Sequence, residues 1–156
     1  MGPVRFFLVA ACLTSPLGCS GDDELECASI DPACTPLYAP TWDNVFANTL
    51  RPKCGTGGGA CHQGTAARGG LRLDDEELAY QNLMRPTENW IDLADVGCGE
   101  VISRLYTSSS RFRMPRGSTL SQAERCAVTQ WALAGAPGPI DGGLIDAGVS
   151  DAMVSP

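Results

Sequence analysis

Residues 53 to 64 read KCGTGGGACHQG, and these twelve positions hold two of the chain's eight cysteines and its only histidine. Six residues, Gly55 to Ala60, separate Cys54 from Cys61, and Thr56 is the only one of them larger than Ala. A glycine-rich spacer of this kind can bulge outward while its ends approach one another. His62 follows Cys61 directly, although a single histidine placed at random would follow a cysteine only about one time in twenty. Either the two cysteines close a short disulfide loop, or the cysteines and the histidine act together on one ligand.

The chain around this stretch reads as helices. Thr41 can cap a first helix in which Trp42, Val45, Phe46 and Leu50 share a stripe, with Pro52 as its stop. A second is expected to begin near Asp74, whose carboxylate can accept the Glu77 backbone N–H, and to carry Tyr80, Leu78 and Leu83 before Pro86. A short third spans roughly Gly99 to Tyr106 with Val101, Ile102 and Leu105. Ser121 and Glu124 form a capping box that opens a fourth, where Ala123, Cys126, Ala127, Trp131 and Ala134 recur at helical spacing before Gly135 and Pro137. No stretch alternates convincingly as a strand. The expected fold is therefore all-α: one small domain over residues 41–136, with short helices and long loops.

The flanks differ in composition. Arg5 and the apolar run from Phe6 to Leu13 are too short to span a bilayer, and with Ser15-Pro16-Leu17-Gly18-Cys19 they resemble a bacterial lipoprotein signal. Residues 1–18 would be removed and Cys19 lipidated; plain secretory cleavage near Cys19 is the alternative, since Leu17 stands one place late. Residues 20–40 are acidic and contain Pro32, Pro36 and Pro40, as expected of a linker. Residues 137–156 are rich in Gly, Asp, Ala and Pro without aromatic anchors, as expected of a disordered tail. Both routes of processing place the protein outside the cytoplasm, in the periplasm or at the cell surface, where disulfides and thioethers persist. Cys27 and Cys34 are close enough in sequence to form a local disulfide.

The formal charge of −7 does not mark a basic partner. Residues 41–136 carry ten acids and ten Lys or Arg, so the excess lies in the flanks. No basic stripe with interleaved aromatics suggests nucleic acid, and the glycine run lacks the Lys of a phosphate loop.

The adjacency of Cys61 and His62 has a specific chemical use. A haem c is held by thioether bonds from two cysteines, and the histidine directly after the second supplies a nitrogen to its iron. The usual spacer between the cysteines is two residues rather than six. Without a second histidine, a further protein ligand has to be methionine. Met114, in RFRMPRG between the third and fourth helices, is the candidate, because Met84 ends an amphipathic helix and Met153 lies in the tail. Zinc held by Cys54, Cys61, His62 and another cysteine is a weaker alternative, since nothing resembles paired C-x-x-C spacing.

The order of features, a first helix, Cys-His, GGLRLDDEELAY, a short helix, a Met-Pro loop, LSQAE and a helix carrying WALAGA, resembles the cytochrome c-like domains often labelled planctomycete cytochrome c. The resemblance covers Thr41 to Ala136. It implies one haem c, attached through Cys54 and Cys61, with His62 and Met114 as the axial iron ligands. It also implies that the first and last helices cross through residues such as Phe46 and Trp131. The chain departs from that pattern in its six-residue spacer and in Met-Pro-Arg where Met-Pro-Pro is common. A disulfide between Cys98 and Cys126 would then brace both sides of the Met114 loop. The expected function is a lipid-anchored carrier of single electrons between redox partner proteins, not an enzyme, with peroxidase-like chemistry only if Met114 leaves the iron open. The alternative is a haem-free binding or structural lipoprotein in which Cys54 and Cys61 form a disulfide. Arg111, Arg113 and Arg116 flank Met114 and are read as a solvated cluster that can also face an acidic redox partner.

Overall fold

The computed structural model describes residues 24–56 and 61–139. Four α-helices, all short, make up the regular structure, and no strand occurs among the described residues. Helix α1, Trp42–Val45, runs without a break into a π-helical segment, Phe46–Gly55; α2 is Glu76–Leu83, α3 is Glu100–Tyr106 and α4 is Gln122–Leu133. Single 3-10 turns at Arg68–Gly70 and Val96–Cys98 lie in the connections. The expected signal peptide at 1–18, the lipidation site Cys19 and the tail from 140 onward lie outside the described residues.

Local chemistry explains most element ends. Thr41 accepts the Asn44 N–H at the start of α1. Ser121 and Glu124 form the reciprocal capping box of α4: the Ser121 hydroxyl accepts from Glu124 N and the Glu124 carboxylate accepts from Ser121 N. Gly135, at φ 88°, takes the left-handed turn that ends this helix at little cost.

Two boundaries differ from the sequence reading. The residue that caps α2 is Asp75, which accepts the Leu78 N–H at 3.0 Å. Asp74 is drawn elsewhere, to Arg72 Nε at 2.7 Å and the Gly64 N–H at 3.2 Å. Nor does Pro52 stop the first helix. A proline ring clashes with the carbonyl four residues back in a regular α-helix, and the chain avoids this by widening its turns. The wide segment carries the helix on to Gly55, where Thr56 N–H returns to Arg51 O at 2.8 Å.

The core is organised around Trp42, which is 1 % exposed. Its ring lies 5.4 Å from Trp131 of α4, 5.6 Å from Phe46 and 5.1 Å from Tyr80, the last edge-on. The first and last helices therefore meet ring to ring through Trp42 and Trp131, while Phe46 stacks behind. Such aromatic pairs add about 1 kcal/mol each beyond the area they bury. The folded body also reaches past Ala136, because Trp131 Nε1 donates to Pro137 O at 2.9 Å.

The segment read as a linker is part of this body from Cys27 onward. Ala28, Ile30 and Tyr38 pack against the core, Ala28 N–H bonds Gly97 O at 2.8 Å, and Leu37 N–H bonds Ala123 O at 3.0 Å. Two disulfides hold it: Cys27 to Cys98 and Cys34 to Cys126. Both expected pairings, Cys27 with Cys34 and Cys98 with Cys126, are thus replaced by long-range ones. The reason is the path of the strap, which lies across the 3-10 turn before α3 and then along α4. Each of its cysteines comes within bridging distance of a different element, with Cα separations of 4.3 and 5.9 Å. Gly97 permits the approach, since a Cβ there would sit 2.5 Å from Ala28 O.

Candidate functional site

The wide helix delivers Cys54 in its last turn, and Gly55 lets that turn lie directly on the next layer of chain. A Cβ at Gly55 would fall 2.2 Å from Leu73 O. Cys61 and His62 return to the same place: His62 N–H points to Cys54 O at 3.3 Å, and Leu73 N–H donates to His62 O at 2.8 Å. Residues 57–60 of the spacer lie outside the described residues. Cys54 and Cys61 are both half-buried thiols, outside the two disulfides. Burial, with Cys61 nearby, pushes the Cys54 thiol up to about 11.

The imidazole of His62 is oriented by the chain that follows it. Nδ1 lies 2.9 Å from Leu71 O, and since a carbonyl can only accept, Nδ1 carries the proton. Nε2 is then the nitrogen with a lone pair for a ligand. The orienting carbonyl belongs to GGLRL, a stretch held by Gly69 and Gly70 at φ 67° and 72° and by the ion pair of Arg72 with Asp74. That hydrogen bond from Arg72 also holds the Asp74 carboxyl below its ordinary range.

Cys54, Cys61, His62 and Met114 all line one cavity of about 290 Å³. Its apolar walls come from Leu50, Leu71, Leu73, Leu83, Val101 and Leu105. Met114 reaches it from the loop after α3, where its N–H bonds Arg104 O at 3.0 Å. Arg104 secures that loop further, with Nη1 donating to Phe112 O at 3.2 Å and Nε donating to Glu100 Oε1 at 2.7 Å. Of the three arginines flanking Met114, Arg116 alone lines the cavity; Arg111 lies over the Phe112 ring at 5.3 Å.

Several contributors escape sequence reading. The Leu71 carbonyl has no side-chain signal at all. Lys53, Arg68 and Trp90 also line the cavity, and Trp90 was an isolated aromatic in a loop. Arg104 left a trace, since it stands on α3 beside the cavity-lining Val101 and Leu105 and four residues after Glu100.

The donor set suits a haem c. Two thiols can supply thioethers, an imidazole with its Nδ1 anchored can supply Nε2, and a methionine sulfur shares the same apolar cavity. It does not suit a zinc cage: among the described residues no three His, Cys, Asp or Glu side chains gather at metal-binding distance. No protein-family model, curated protein or solved structure matches this chain.

Proposed function

We propose that this protein is an exported carrier of single electrons on one haem c, resembling the planctomycete type of cytochrome c domain. Cys54 and Cys61 would hold the haem covalently, and His62 and Met114 would be its axial ligands. The observation that carries the reading is the convergence of these four side chains on one apolar cavity, with His62 Nδ1 already committed to Leu71 O. A haem bound there supplies the Fe(II)/Fe(III) couple, which accepts and releases one electron.

The residues of the chain account for the other requirements. The leucines and Val101 give the cavity an apolar wall, which together with histidine and methionine ligation would favour a raised potential. The Leu71 carbonyl fixes the ring plane of His62 and strengthens its nitrogen as a donor. Arg104 ties the Met114 loop to α3 and so limits the motion of the methionine. With His62 and Met114 both given to the iron, the protein would leave it no position for a substrate, and no catalytic residue is assigned. Redox partner proteins are the expected counterparts.

Lipidation of Cys19 would put this body on a short leash. Seven residues separate Cys19 from Cys27, and Cys27 is bonded into the folded body. At roughly 3.4 Å per residue the body stays within about 30 Å of its anchor. Among the described residues no helix is long and apolar enough to cross a membrane, so attachment would rest on the lipid.

The test is export of the full chain in cells that carry haem-maturation machinery, followed by a pyridine haemochrome spectrum and intact mass. The expected product is coloured and heavier by one haem. Cys54→Ser with Cys61→Ser should abolish covalent colour, His62→Ala should abolish the low-spin spectrum, and Met114→Ala should keep the haem but lower its potential. A colourless product in which Cys54 and Cys61 are bonded to each other overturns the proposal in favour of the haem-free lipoprotein.

A further inference from the structure

Charge is distributed unevenly over this molecule, and the cationic part centres on the cavity. The chain as a whole carries −7. Yet the cavity is lined by Lys53, Arg68, Arg104 and Arg116 and by one acid, Glu100; Arg104 pairs with Glu100 and Lys53 lies 3.7 Å from Glu124, with Arg68 and Arg116 outside these two pairs. From Val101 to Leu120 the chain contains Arg104, Arg111, Arg113 and Arg116 and no Asp or Glu.

These four arginines are gathered by local structure. The guanidinium carbons of Arg104 and Arg111 lie 6.0 and 5.3 Å from the Phe112 ring. Arg116 Nη1 donates to Ser110 O at 3.3 Å, and Arg113 N–H donates to Ser109 O at 2.9 Å. One loop, wound back on α3, thus concentrates positive charge beside Met114. Apart from Glu100, which pairs with Arg104 on α3, the acids stand on other elements, four of them consecutively from Asp74 to Glu77 at the start of α2.

We propose that the arginine-bearing loop between α3 and α4 docks an acidic protein surface beside Met114. The purpose of such docking rests on the electron-carrier reading, because it would bring a redox partner to the cavity; the charge distribution itself does not. A haem would bring two carboxylates, enough at most to neutralise Arg68 and Arg116, and Arg111 and Arg113 would still keep the loop cationic. An asymmetric field of this kind steers encounter and fixes orientation even when net charge opposes it. A lipid surface fits less well, because among the described residues the large exposed apolar side chains are Leu37, Leu93 and Leu133, none of them in this loop to act as a wedge. A nucleic acid fits less well too, since the loop's one aromatic ring, Phe112, is already engaged by two guanidinium groups.

The experiment measures binding of the exported full chain, with and without haem, to poly-L-glutamate, to poly-L-lysine and to phosphatidylglycerol vesicles at low ionic strength. The expected result is binding to poly-L-glutamate and not to the vesicles, weakening steeply as salt approaches 0.1 M, where the screening length is about 10 Å; poly-L-lysine reports the acidic flanks, and its binding should persist in the Arg111→Glu/Arg113→Glu protein. Arg111→Glu with Arg113→Glu should weaken it at least about tenfold, the corresponding Gln pair less, and Glu76→Gln with Glu77→Gln not at all. Far-ultraviolet circular dichroism of each variant should match the parent. Equal affinity of parent and Arg111→Glu/Arg113→Glu protein for poly-L-glutamate overturns the proposal, as does patch-dependent capture by the vesicles. A haem-loaded protein that ignores poly-L-glutamate refutes the docking surface alone. A colourless protein that still binds it through Arg111 and Arg113 supports the surface while refuting the haem.

Discussion

A neutral imidazole has one nitrogen that donates and one that accepts, and for His62 the Leu71 carbonyl decides which is which. Cys54 is governed as strongly by its surroundings. Burial raises its ionisation from 9.0 to about 11, so at pH 8 the haem-free protein should hold about a hundredfold less thiolate there than an ordinary cysteine does. Alkylation by iodoacetamide, followed by peptide mass, should be slower at Cys54 by a similar factor. The same shift links folding to pH. The folded thiol keeps its proton where the unfolded one loses it, so stability present below pH 9 is lost as pH rises towards about 11, by up to about 2–3 kcal/mol. Urea titrations of haem-free parent and Cys54→Ser proteins across that window should show the loss in the parent and a smaller one in the variant. Gly55 supports the same corner by having no Cβ. Gly55→Ala should cost about 2 kcal/mol, because the new methyl must displace the Leu73 carbonyl and with it the strand of chain that holds His62.

Among the elements, α4 was the most legible and the first helix the least. Ser121, Glu124 and the spacing of Cys126, Ala127 and Trp131 specify α4 through contacts within its own turns, and those survive in any tertiary setting. Ser121→Ala should lower stability by about 1 kcal/mol, read from the urea midpoint. Glu124 is partly buried, which pushes its carboxyl up, but hydrogen bonds from Ser121 and the Lys53 ammonium at 3.7 Å outweigh this and hold it below its ordinary range. That contribution is present above the ordinary carboxylate range and lost as pH falls through the lowered value. The Ser121→Ala protein should therefore show a smaller loss on acidification than the parent. The first helix could not be bounded in this way. Pro52 is a stop signal by its own chemistry, and what overrides it is the widened turn that presents Cys54 to the cavity. The cap of α2 was missed by one residue, because Asp74 and Asp75 are equally good caps until Arg72 and Gly64 claim the first.

For the molecule as a whole, the two disulfides matter most. They close loops of 71 and 92 residues in sequence separation, and each should contribute about 2–4 kcal/mol by restricting the unfolded chain. Peptide mapping without reduction should yield Cys27 linked to Cys98 and Cys34 linked to Cys126; reduction should lower the thermal midpoint and release the strap. Several features were written in the chain alone: the all-α class, the α4 capping box and the adjacency of Cys61 and His62. Each depends on residue types at short spacing, where periodicity and caps act directly. The partners of the four bridging cysteines, the use of Leu71 O by His62, and the placing of His62 and Met114, 52 positions apart, on one cavity depend on distant segments. Local preferences do not encode such distances. They follow from how Trp42 meets Phe46, Tyr80 and Trp131 and how α3 and the strap join that core, so the cavity forms only once these elements are packed.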